Sequence, residues 1–151
     1  MTRNEEARAI LKLVGEDFSR AVQMVHEQFN VLYTRAQVFT GIAGIVLTIT
    51  GFSGRLIAAT NRPAQVFLII GVASVLASAF YIVRRIMRIR WVTSELSDDP
   101  LRTLDTLLER RDQRTTALHR GGMILFCGLM FYFIAFALML LNPEAVTTPV
   151  R

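Results

Sequence analysis

Arginines concentrate the chemistry of this sequence. Arg84, Arg85, Arg88 and Arg90 crowd beside Trp91 in the stretch R-R-I-M-R-I-R-W at residues 84–91, and Arg110, Arg111, Arg114 and Arg120 follow in the same polar segment. A guanidinium fork binds phosphate through paired hydrogen bonds, and an indole alongside can stack on a base. Two readings of the cluster stand. It orients the chain in a membrane, touching anionic lipid with an interfacial aromatic. Alternatively, it forms an anion site at the inner membrane face, where an oligomer would gather several arginines into a ring. A net charge of +5 suits an anionic partner without identifying one.

A second candidate is the tract A-Q-V-F-T-G-I-A-G-I-V-L-T-I-T-G-F-S-G-R at 36–55, uncharged until Arg55 yet rich in glycine and threonine. At 100° per residue, Gln37, Gly41, Gly44, Thr48, Gly51 and Arg55 share one sector, with Phe39, Ile42, Val46 and Ile49 opposite as a lipid-compatible side. Small residues let helix backbones approach closely, and threonine hydroxyls can bond across helices. The stripe is expected either to pack dry against a neighbour or to line a wetted pore, with Arg55 at the rim.

Other chemistries lack material. His26 and His119 are isolated, and Cys127 reads as a small apolar residue in a membrane helix. No cluster with metal-ligand spacing, glycine-rich phosphate loop or nucleophile elbow occurs, so neither an enzyme nor a metal or cofactor is expected. The first 35 residues carry five basic and five acidic side chains with no early apolar run, which does not fit a signal peptide.

The elements that must hold these residues are helices. Charge-free runs at 36–54, 63–83 and 121–143 are each about 20 residues, enough to cross a hydrocarbon core of roughly 30 Å. The expected fold is an all-α integral membrane bundle of three spans, 36–59, 64–83 and 121–142, with amphipathic helices outside the membrane. One helix is expected over 5–35, its stripe being Leu11, Val14, Phe18, Ala21, Val25, Phe29 and Leu32. Another should start at the Ser97-Asp98-Asp99-Pro100 signal and carry Leu101, Leu104, Leu108 and Leu118. Gly121 and Gly122 are expected as a hinge or a close-packing point before the third span. A further small stripe runs through Gly71, Ser74, Ser78, Tyr81 and Arg85 of the second span. The third span, bulky nearly all round, reads as the outer, lipid-facing helix.

Five basic residues precede the first span, nine lie between the second and third, and two, Arg55 and Arg62, belong to the turn between the first and second. The positive-inside rule then places 1–35 and 84–120 in the cytoplasm, with the loop and the 143–151 tail outside. Two unsatisfied small-residue stripes lead to the expectation of a homo-oligomer.

The tract L-Y-T-R-A-Q-V-F-T-G-I-A-G at 32–44, between a cytoplasmic helix and further spans, gives the chain a layout that resembles small transmembrane effectors of bacterial nucleotide-signalling anti-phage systems (Pycsar, CBASS, Hailong). The resemblance implies a bacterial inner-membrane channel or membrane-disrupting effector, controlled by a nucleotide or short single-stranded oligonucleotide from a cytoplasmic nucleotide-synthesising enzyme. The alternative is a non-enzymatic scaffold that binds a cytoplasmic protein through its amphipathic helices.

Overall fold

A computed structural model describes residues 2–58, 62–86 and 99–141, the side chains of 54–58 excepted. Helices make up 95% of the described residues, and no strand occurs among them. The order is α1 (Arg3–Leu13), α2 (Phe18–Ala58), α3 (Arg62–Ile86) and α4 (Pro100–Leu141). The last three are long and apolar enough to cross a membrane.

Helix α1 starts at a capping box that the sequence reading passed over. Thr2 accepts from the Glu5 amide, and the Thr2 amide donates to the Glu5 carboxylate at 2.8 Å, so two otherwise orphaned donors are satisfied. The expected single helix over 5–35 is broken. Gly15 and Glu16 take positive φ values of 68° and 63°, a left-handed pair that ends α1, and Asp17 then caps α2 by accepting from the amides of Ser19 and Arg20. From there α2 runs without interruption past the expected boundary at residue 35.

Helix α4 begins at the Asp99-Pro100 signal as expected, with the Leu101 amide donating to Asp99 Oδ1 at 3.0 Å. The Gly121-Gly122 hinge does not exist: one helix of 42 residues passes through both glycines. Gly121 instead serves close packing, for a Cβ there would sit 2.5 Å from Ile82 Cγ1.

Helices α3 and α4 form the tightest seam. Residues Ala64, Leu68, Gly71, Val75, Ser78 and Ile82 are buried on α3, and Leu118, Gly121, Leu125, Gly128 and Ala135 on α4, both stepping by threes, fours or sevens. At Gly71 an added Cβ would lie 2.9 Å from the Tyr132 amide nitrogen and 3.0 Å from the Gly128 carbonyl. Ser78 donates across the seam to the Gly121 carbonyl at 2.7 Å. The third span is therefore not simply the outer helix. Its phenylalanines, Phe126, Phe133 and Phe136, do face outward, but its small residues at seven-residue intervals are the inner partner of α3.

The charged halves of α2 and α4 meet in one cluster with α1. Ala21, Val25, Phe29 and Leu32 pack with Leu104, Leu107, Leu108, Ala117 and Leu118, joined by Ala7 and Ile10. The two expected amphipathic stripes thus cover each other, which puts both polar halves at one end of the bundle.

Candidate functional site: an arginine cleft and an outward glycine stripe

At that polar end, the last turns of α3 and the middle of α4 enclose an open cleft of about 690 Å³. Arg84 and Arg85 line it from α3, Arg110, Arg114 and Arg120 from α4, and Arg3 from α1, against two carboxylates, Glu109 and Asp112. The helical pitch explains the α4 contribution, because residues 110, 114 and 117 fall on one face. Arg3 is engaged by Glu109 at 3.1 Å. Arg85 lies over the Tyr81 ring, 6.0 Å from its centroid. Arg84 and Arg120 are exposed and form no ion pair among the described residues. The excess of guanidinium groups makes the cleft an electropositive recess suited to a phosphate or carboxylate.

Arg111 and Arg114 are tied to α1 and α2. The Arg111 side chain, 19% exposed, turns towards α1 and α2, donating to Glu6 Oε2 and Gln28 Oε1, each at 3.1 Å. Its hydrogen bond to Glu6 raises its pKa above the ordinary value. Partial burial pulls the other way, and Asp112 adds to the rise. Arg114 reaches the cleft but also donates to the Tyr33 hydroxyl at 2.6 Å and lies 5.0 Å from the Phe29 ring centroid. Arg88, Arg90 and Trp91 lie outside the described residues.

On α2 the departure from expectation is on the side opposite the small-residue stripe. Phe39, Ile42 and Val46, read as lipid-compatible, turn inward with Ala43 and pack against Val75 and Leu125, while Ile49 of the same side stays exposed. Gln37, Gly41, Gly44, Thr48 and Gly51 face outward. A Cβ at Gly41, Gly44 or Gly51 would meet nothing within 4 Å. The Thr48 hydroxyl does not reach another helix; it donates back to the Gly44 carbonyl at 2.9 Å, as Thr40 and Thr50 do to residues four earlier. Arg55 belongs to α2, but its side chain is outside the description.

Sequence reasoning missed Arg3, Tyr81 and Gln113 as cleft residues. The T-x-x-E box at 2–5 was a legible sign that Arg3 opens a helix, but not of where that helix docks. Among the described residues no group of three His, Cys, Asp or Glu side chains has metal-site geometry.

Fold and site together define a three-span helical bundle with a basic cleft at its polar end. No family model, curated protein or solved structure matches the chain.

Proposed function

We propose that the chain is a homo-oligomeric membrane protein acting as a channel or membrane-disrupting effector, controlled by an anionic, phosphate-bearing ligand. The carrying observation is the open glycine stripe of α2, which is left without a neighbour while Gly71, Gly121 and Gly128 are fully used inside the bundle. Lipid tails gain little from a bare glycine face, whereas a second helix packs closely on it. Copies arranged about an axis would present Gln37, Gly41, Gly44, Thr48 and Gly51 to one another. In a wider assembly the same residues would line water.

Control by ligand follows from the cleft. A phosphate held between Arg84 and Arg120 would bridge the end of α3 to α4, and both helices continue uninterrupted into their apolar segments. A nucleotide or short single strand fits this chemistry and the resemblance noted above, which also supplies a nucleotide-synthesising enzyme as partner. The reading places the protein in the bacterial inner membrane with the cleft cytoplasmic and the C-terminus outside, on the arginine asymmetry. The scaffold alternative has less to work with, because the apolar stripes it would offer a partner are already buried against each other.

The test is conductance and binding measured on the same purified protein. The proposal expects an oligomer in detergent, ion flux in planar bilayers that changes with nucleotide or oligonucleotide, and binding that weakens steeply with salt. Arg84→Ala with Arg120→Ala should abolish binding and leave the oligomer intact. A monomer with neither flux nor affinity for any of these ligands rejects the reading.

A further inference from the structure

A second recess lies between α2 and α4, about 620 Å³ in volume and on a different face from the arginine cleft. Its walls change character along its length. Arg35, Thr115 and His119 form one end; Phe39, Ile42, Leu125, Phe126 and Leu129 form the other. The change falls at the level where both helices lose their charges, since Arg35 is the last charged residue before the uncharged run of α2 and Arg120 the last on α4. The groove therefore straddles the boundary between water and hydrocarbon.

Local sequence accounts for the trough. Gly122 has no side chain, and the Phe39 ring lies where one would be, 3.0 Å from an added Cβ. Thr115 and Cys127, both small, also line it, while the buried Leu118 and Leu125 make the floor. No acidic residue lines the groove. Arg35 is exposed and has no ion-pair partner among the described residues.

We infer that this groove is a binding site for one anionic phospholipid, with its phosphate at Arg35 and His119 and an acyl chain along Phe39, Ile42 and Phe126. Three observations choose this occupant over a second protein copy or a soluble anion. The cationic end coincides with headgroup depth, the apolar end opens sideways into the hydrocarbon level, and the charge is of one sign only. Basic pockets between membrane helices hold anionic headgroups for the same reason. The site is separate from the arginine cleft and does not depend on the channel reading.

The experiment uses the full chain in phosphatidylcholine nanodiscs doped with phosphatidylglycerol bearing an acyl-chain diazirine. Photolabel should concentrate on peptides containing Phe39–Ile42 and Gly122–Leu129, above the level on the outer face of α3 at Ile69 and Phe80, which reports ordinary surrounding lipid. Arg35→Gln should lower groove labelling about fivefold, the worth of one arginine at an anionic surface, with helicity and α3 labelling unchanged. Arg35→Lys should restore most of it. Soluble glycerol phosphate should not compete. Groove labelling equal to that of α3, or unchanged by Arg35→Gln, overturns the inference. Displacement by glycerol phosphate overturns the lipid in favour of a free anion. Cross-linking through Cys127 between copies, with the groove shielded from label, overturns it in favour of a protein neighbour.

Discussion

Glycine appears twice in this bundle with opposite consequences. In the α3–α4 seam, Gly71, Gly121 and Gly128 lie so close to the other helix that a Cβ would force its neighbours to shift. On α2, Gly41, Gly44 and Gly51 face outward with nothing in contact. The first set is spent holding one chain together. The second is available to something outside it. Residue type alone does not distinguish them; the neighbour does. On the seam the glycines recur with leucine and alanine at heptad intervals, whereas on α2 the heptad positions are Leu32, Ala36, Phe39, Ala43 and Val46 and the glycines fall beside them.

Substitution is the direct way to break the comparison. Gly128→Leu should have the largest effect on the folded chain, because a Cβ alone would meet the Gly71 carbonyl and Ser74 and Val75 side-chain atoms at 3.0 Å. Overpacking of this kind costs about 1–3 kcal/mol and often more where backbone is the obstacle. The check is thermal unfolding in detergent by circular dichroism, and an unchanged midpoint would refute the tight seam.

Arg111→Ala comes next. It removes the charged partner of Glu6 and Gln28 in a partly buried network, a loss of about 1–3 kcal/mol. The loss should appear locally, as α1 undocking and protease cleavage near Gly15, with α3 and α4 still protected. Cleavage no faster than in the parent would mean that Ala7 and Ile10 hold α1 alone.

The smallest effect on the fold is expected from Gly44→Leu, within about 0.5 kcal/mol as for other exposed positions. Oligomer yield, measured by light scattering in detergent, should nevertheless fall sharply. A variant that keeps both its midpoint and its oligomer would move the interface off α2 and remove the contrast between the two glycine sets.

Much of the architecture was legible from the chain. Helical class, three apolar segments and the mutual covering of the amphipathic stripes follow from periodicity and hydropathy, which register burial directly. The start of α4 was legible because Asp99 and Pro100 act within one turn. The break at Gly15-Glu16 was not, since Glu16 adopts positive φ against its ordinary preference and the apolar stripe continues in phase across the turn. The inward face of α2 was misread for a different reason. A helix with a small face and a bulky face can bury either, and the choice depends on whether α3 and α4 offer ridges or grooves. Gathering Arg84, Arg85, Arg110 and Arg120 at one cleft needed the antiparallel register of α3 and α4, which Gly71 and Gly128 set across a gap in sequence. The separate use of Arg111 was invisible from the sequence because its neighbours in space come from α1 and α2.

Gly121 sits near the midpoint of α4, a helix of 42 residues and roughly 63 Å. There it is gripped by Ile82 and by the Ser78 hydroxyl. A stiff beam clasped at its centre is a lever with nearly equal arms. If the clasp acts as a fulcrum, a sideways push on Arg114 or Arg110, 7 and 11 residues from Gly121, would swing the tip at Leu141, 20 residues away, further and in the opposite direction. Such a beam reverses the stroke and enlarges it towards its tip. Widening at one end of the bundle would then accompany narrowing at the other.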